Sequence, residues 1–307
     1  MQIALTKKLA DAMGINPPPA REVENPLFSW TANWTKVWDN RRAEDMLVLV
    51  NNPTRFAVAL YQVKRKDLKN VAEMMRASIS NTLLAMSLNP ELVEEYMRLA
   101  GNVEFARNHN RQTAAWVTNA GLECAIHVGR EYNDIAKMFS DTIGAFANHH
   151  YVNDRIHNVD FCPDRAMIKA LTELTGKKPY KYRAFELLVT LDLEVYQVIR
   201  RIIVPANLEF ARLHKVLQSA FGWENYHLYD FTFFGINQHD PVARMVPFED
   251  DLGSDEDAIL MKDHTLSEFL PEHQHMRYTY DLGDNWEHDI QLVRVIEDYD
   301  QESPYLL

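Results

Sequence analysis

The sequence predicts an α+β fold in two domains, the second an antiparallel sheet with helices packed on one face. Three observations carry this. A chain of 307 residues is long for one hydrophobic core, and two cores are the better expectation. Near the middle, Gly176-Lys177-Lys178-Pro179 mixes a helix-ending glycine, charges and a proline, the composition of a domain boundary. Beyond it the chain reads strand, strand, helix, strand and a final hairpin, the order of an antiparallel sheet with helical cover. The expected domains are 1–178 and 179–307, with the seam inside 176–180.

The first half opens with a short strand at Ile3-Ala4-Leu5. Pro17-Pro18-Pro19 fits neither a helix interior nor a central strand and marks an extended loop. Phe28 to Trp34 alternates large apolar and small polar residues, the period of a half-buried strand. Met46 to Asn52 and Phe56 to Val63 are apolar runs separated by Asn-Pro turn chemistry, and they read as a hairpin. Leu68 to Leu88 follows a helical stripe, Asn89-Pro90 starts the next helix and Gly101 ends it. Arg111 to Val128 and Tyr132 to Phe146 read as two helices broken near Gly129, and Phe161-Cys162-Pro163-Asp164 reads as the entry to a further helix running to Thr175.

In the second half, Phe185 to Leu191 and Tyr196 to Val204 are strands. Asn207 is placed to cap a helix running to Phe221, which Gly222 ends. His227 to Phe233 alternates in period 2, a third strand. Asn237 to Ala258 reads as a long acidic loop, and Thr265 starts a short helix at Leu266 to Leu270. The last unit is Met276 to Tyr280, a turn, and Trp286 to Val295, with Gly283 expected to supply the freedom in φ that the turn needs.

Charge narrows the function. The net charge is −12, but residues 1–178 hold 22 Lys and Arg against 20 Asp and Glu, whereas residues 179–307 hold 10 against 24. A field this negative opposes a phosphate backbone, so nucleic acid is disfavoured as a partner and a basic protein is expected on an acidic C-terminal face. Arg55, Lys64-Arg65-Lys66 and Lys69 form the basic concentration, and nucleic acid would bind through Lys64 to Lys69, against the plainer reading of a solvated loop. No apolar run approaches the roughly 18 residues of a membrane span, so no membrane partner is expected. The N-terminus lacks the basic-then-apolar order of a signal peptide. Cys124 and Cys162 allow no disulfide framework, and a reduced cytoplasmic location follows. His149, His150, His157 and Cys162 cluster in sequence, but with no zinc-type spacing, and no metal or cofactor is expected.

Two resemblances add to this reading. Thr6-Lys7-Lys8-Leu9, Asn25 to Trp30, Leu49-Val50-Asn51 and Asn110-Arg111 resemble a bacterial family of unknown function, which implies an α+β unit. Leu217 to Trp223, His227 to Phe231 and Tyr280 to His288 resemble the plasmid pRiA4b ORF-3-like family over about 179–307. That resemblance implies a link to plasmids and insertion sequences. Members usually carry Tyr-Asp-Phe-Gly-Asp in the turn, where this chain has Leu282, and commonly continue into a Cys-Pro-Pro-Glu-Asp segment, where this chain ends at Leu307.

The candidate site is the turn and its neighbours. On a strand from Trp286, residues 286, 288 and 290 share one face and Glu287 takes the other. His227, Asp281, Asp284 and His288 are the candidate catalytic residues, and His227, Asp281 and His288 the candidate metal ligands, two imidazoles and a carboxylate being a workable set. Trp223, Tyr229, Tyr280, Trp286 and Glu287 are the candidate binding residues. The leading expectation is a non-enzymatic binding protein linked to mobile elements or phage–host conflict. A metal-dependent hydrolase or nuclease and a nucleic-acid-binding protein are the alternatives.

Overall fold

The computed structural model describes residues 1–39, 42–131, 143–144, 147–154, 159–235, 240–253, 258–301 and 304–307. They form two compact units, Met1–Pro179 and Tyr180–Leu307.

The first unit is built on a five-stranded sheet. Its strands are β1 (Gln2–Leu5), β2 (Ser29–Asp39), β3 (Arg42–Asn51), β4 (Ala57–Tyr61) and β5 (Glu104–Arg107), in the order β4-β3-β2-β1-β5. The β2–β3–β4 meander is antiparallel, its β3–β4 hairpin as the two apolar runs and the turn between them predict, while β1 lies parallel to both β2 and β5. Asn51 closes the β3–β4 turn from inside: its amide donates to the Leu27 carbonyl at 2.9 Å, and its side-chain oxygen accepts from the Thr54 hydroxyl at 2.8 Å.

Five helices accompany this sheet among the described residues: α1 (Lys7–Met13), α2 (Val71–Ala85), α3 (Pro90–Ala100), α4 (Arg111–Glu131) and α5 (Pro163–Thr175). The Asn89 side chain accepts from the Glu91 N–H at 3.1 Å and caps α3, as its sequence predicts. Contrary to expectation, α4 runs through Gly129 without a break. A single glycine costs a helix only about 1 kcal/mol, which the packed stripe of Val117, Cys124 and Val128 outweighs. A second glycine on α4 has a packing role: a Cβ on Gly121 would stand 2.8 Å from the Thr35 hydroxyl of β2. Most of the expected helix Tyr132 to Phe146 lies outside the described residues. A small hairpin of β6 (Val152–Asp154) and β7 (Val159–Phe161) precedes α5.

The basic stretch after β4 is wound into a 3-10 helix, Arg65–Asn70, with the Asp67 carboxylate accepting from the Lys64 N–H at 2.9 Å. Lys64, Arg65, Lys66 and Lys69 lie around it, Lys64, Arg65 and Lys69 exposed and Lys66 with them at the surface.

The second unit is an eight-stranded sheet: β8 (Tyr182–Asp192), β9 (Gln197–Pro205), β10 (Tyr229–Phe234), β11 (Pro241–Val246), β12 (Ala258–Leu260), β13 (His275–Tyr280), β14 (Trp286–Tyr299) and β15 (Tyr305–Leu306). Their order is β12-β11-β10-β13-β14-β8-β9-β15. Every neighbour pair is antiparallel except β11–β12, which is parallel. One face is apolar by alternation, with Phe185, Leu187, Val189, Phe231, Phe233, Tyr278 and Ile290 pointing inward. The helix α6 (Phe210–Phe221) covers it with Phe210, Leu213 and Leu217.

Three expectations are corrected here. The N-cap of α6 is Glu209, not Asn207. The chain first turns through a bond from the Leu208 N–H to the Pro205 carbonyl, and only the Glu209 carbonyl receives the opening N–H groups of the helix, from Arg212 and Leu213. The third strand starts at Tyr229, opposite Tyr280, so His227 precedes the ladder. The expected acidic loop holds the strand β11 and ends where β12 begins, because Ala243 and Met245 alternate into the core and β11 pairs with β10. Its residues Ser254 to Asp257 lie outside the described ones.

Candidate functional site

The turn joining β13 to β14 is fixed by Asp281. Its backbone is left-handed at φ 58°, as is Asn285 at 54°, and Asp and Asn are the residues with side chains that best tolerate this region. Gly283, expected to supply that freedom, is not among the left-handed positions. It matters for space instead: its N–H donates to Asp281 Oδ1 at 3.1 Å, and a Cβ there would sit 3.2 Å from the same oxygen. The Asp281 N–H donates to the Leu228 carbonyl at 2.9 Å, and the Asn285 N–H closes the turn on the Asp281 carbonyl at 2.6 Å.

Asp281 Oδ2 remains, and it lies 3.3 Å from His227 Nδ1. The loop before β10 is tied down a second time where the Tyr226 N–H donates to the Tyr280 hydroxyl at 2.9 Å. The segments around 227 and 281–288 therefore meet in space. His227 is about half exposed and sets its ring edge-on to Tyr280, at 5.7 Å between centroids.

His288 lies elsewhere in this arrangement. It faces inward from β14 and is wholly buried. Its Nδ1 donates toward the Trp286 carbonyl at 2.9 Å and the Tyr278 carbonyl at 3.3 Å, which leaves Nε2 to accept from the Trp223 indole at 3.3 Å. Burial holds its pKa below the ordinary imidazole value, so the ring is neutral at pH 7. Both nitrogens are engaged. Among the described residues, His227, Asp281 and His288, the candidate ligands if a metal were held here, do not converge as a three-donor cluster. Asp284 is exposed on the turn, and its backbone N–H donates to Asp281 Oδ1 at 3.4 Å.

Trp223 is delivered by the end of α6. Gly222 adopts φ 73°, ends the helix, and turns the indole between Tyr280 and Trp286, at centroid distances of 5.3 and 5.5 Å. Tyr229 stacks flat on His214, with centroids 3.5 Å apart and planes within 5°.

Beneath this aromatic group lies a polar ring that the pattern of apolar residues concealed. His214 Nε2 donates to the Asn225 side-chain oxygen at 2.7 Å, and Nδ1 accepts from the Tyr278 hydroxyl at 2.8 Å. Gln218 donates to the same hydroxyl at 2.8 Å and accepts from the Asn225 N–H at 2.8 Å. The circuit closes with each of these donors matched to an acceptor. Burial lowers the His214 pKa and raises that of Tyr278, so both are neutral at pH 7. The sequence signal was available: His214 and Gln218 stand four apart on α6 and flank Leu217 on its buried side.

On the opposite face of the sheet is an open cleft of about 930 Å³. Asp192, Glu194, Tyr196, Asp284, Glu287 and Asp289 line it, with Arg277 as its cation. Glu287 pairs with Arg277 at 3.0 Å, and Asp289 contacts His275. Asp192 is spent on its own turn, accepting from the Glu194 N–H and from Gln197, each at 3.0 Å. Glu194 and Asp284 have no ion-pair partner among the described residues, so the cleft keeps a negative surplus. Trp286 is half-buried at the junction of the two faces and also borders the cleft.

Comparison with known proteins follows the same two-part division. Residues 2–164 match the family described as Domain of unknown function (DUF6933), and residues 183–307 match Plasmid pRiA4b ORF-3-like protein. The Uncharacterized protein y4hQ of Sinorhizobium fredii is 35% identical over 128 residues, 39% of this chain and 58% of that protein. The chain thus spans less than two thirds of this relative's length. A protein of unknown function from Methanosarcina mazei, MM3350, is similar at 28% identity over 41% of this chain and 67% of its own, with a TM-score of 0.35. Among the described residues, no helix is long and apolar enough to cross a membrane.

Proposed function

Since the chain belongs to the family of Domain of unknown function (DUF6933) through residues 2–164 and carries a plasmid pRiA4b ORF-3-like domain at 183–307, we propose that it is a binding protein of mobile elements, acting in the cytoplasm, whose second unit holds a basic protein partner. The observation that carries this reading is the acidic cleft on the outer face of the sheet. Glu194 and Asp284 offer carboxylates not already spent on a cation, and Tyr196 offers an exposed ring beside them. An Arg or Lys side chain entering there meets opposite charge and an aromatic face together. The polar ring of His214, Gln218, Asn225 and Tyr278, buried except at Asn225, has a supporting role, tying α6, β13 and the loop before β10 together beneath the turn. Hydrolytic chemistry at the turn has less support, because His288 is neutral, buried and engaged at both nitrogens.

The test is a charge-matched pair of variants in a pull-down from the native host. E194K/D284K reverses the cleft, whereas E249K/D250K makes the same charge change on an exposed 3-10 turn away from it. We expect a partner of high isoelectric point that the first variant loses by at least tenfold and the second keeps. A partner retained equally by both variants, or one that is acidic, contradicts the proposal.

A further inference from the structure

We infer that the first unit carries a binding site for a divalent transition-metal ion, formed by Glu123, His127 and His150. Glu123 and His127 are four residues apart on α4 and so lie on one face of the helix. His150 comes from the segment before β6 and reaches the same place. Its Nε2 lies 3.3 Å from Glu123 Oε1, and His127 Nε2 lies 3.9 Å from that oxygen. The two imidazoles stack at 5.7 Å between centroids, and one ligand atom from each of the three residues falls within 4.8 Å of the others.

These separations suit an ion. With metal–nitrogen and metal–oxygen bonds of about 2.0–2.2 Å, donors at the corners of a tetrahedron stand roughly 3.4 Å apart. The Glu123–His150 edge already matches, the His127–Glu123 edge must close by about 0.5 Å, and the two imidazoles, within 4.8 Å of each other, must draw together around the ion by rotation of their side chains. Two imidazoles with one carboxylate form a donor set for zinc and its neighbours rather than for calcium or magnesium, which prefer oxygen.

The third ligand is held in place by the fold. Asn148, wholly buried, accepts from the Ala57 N–H at 2.7 Å and donates to the Ala57 carbonyl at 2.9 Å, locking the chain to β4 two residues before His150. The Cys162 thiol donates to the His149 carbonyl at 3.4 Å from the other side. The same thiol also donates to the Asn148 carbonyl at 3.6 Å, so it is held on the backbone of this segment and is not among the three clustered donors. His149 points away and binds Asp164 at 2.5 Å, and His157 lies outside the described residues. The histidine cluster in the sequence is thus divided, and its one contributing member pairs with the upstream helix α4.

Glu123 and His150 also line a cleft of about 490 Å³ with Gln112, Asn119 and Asn153. Three protein ligands beside such a space leave a coordination position for water or a small anionic ligand, the arrangement of an open rather than a closed site.

The experiment uses the full chain without a histidine tag, stripped with a chelator and titrated with zinc chloride by calorimetry at neutral pH. We expect one ion per chain, binding weakened at least tenfold in E123Q and in H150A, and binding unchanged in H149A. Zinc should also raise the melting temperature of the unmodified protein and not that of E123Q or H150A. Both substituted residues lie outside the buried core, so the variants keep the fold. Failure of the unmodified protein to bind stoichiometrically, unchanged binding in both variants, or equal weakening in H149A overturns the site.

Discussion

His214 and His288 are each buried in the second unit and each neutral, and the physical cause is the same: desolvation penalises the imidazolium. Their folded pKa values lie below the ordinary value near 6.5, so at lower pH the unfolded chain binds protons that the folded chain refuses. Stability contributed by the neutral rings is therefore complete above about pH 6.5 and is lost as the pH falls through the window below it, by at most about 1.4 kcal/mol per pH unit for each histidine. Denaturant unfolding between pH 7 and pH 5 should show this decline. The double substitution H214Q/H288Q should flatten it, even if its stability at pH 7 is lower. An unchanged slope in the double variant would place the acid sensitivity elsewhere. Neither role could be read from the residues alone. His288 was visible as a member of one row with Trp286 and Ile290, but its burial and its bond to Trp223 depend on where Gly222 sends the chain at the end of α6.

At the scale of elements, the legible pieces are those whose pattern is local. The stripe of α2, the Asn89 cap of α3, the apolar runs of β8 and β9, the alternation within β10, and the β13–β14 hairpin follow from residues close in sequence. The pieces that escaped are set by distant partners. The strand β5 is four residues, Glu104–Arg107, and exists because β1 pairs with it from the start of the chain. The strand β11 was hidden by the acidic residues that follow it, although Ala243 and Met245 alternate inward. Gly129 looked like a break in α4 when Gly121 was the more informative glycine, marking where α4 approaches β2. Replacing Gly121 by alanine sets a methyl against the Thr35 hydroxyl and should destabilise the first unit by about 1–3 kcal/mol despite alanine's better helix propensity. Adding Thr35→Ala should recover most of that loss in thermal unfolding. A stabilised G121A single variant would show that the approach is looser than 2.8 Å.

For the whole molecule, the asymmetry of charge was the most useful property the sequence offered, because it directs the proposed partner binding to the second unit. Composition could not say where on that unit the negative surplus gathers. The sheet decides this: alternation sends Tyr278, His288 and Ile290 inward and leaves Glu287 and Asp289 on the outer face, beside Glu194 and Asp284 from the two neighbouring turns. The most direct measurement is zero-length carbodiimide cross-linking of the protein to its captured partner, followed by mass spectrometry of the joined peptides. Bonds from partner lysines to Glu194, Asp284, Glu287 or Asp289 are the predicted result. Bonds confined to Glu249, Asp250 and Asp251, or to the first unit, would contradict the proposed binding face.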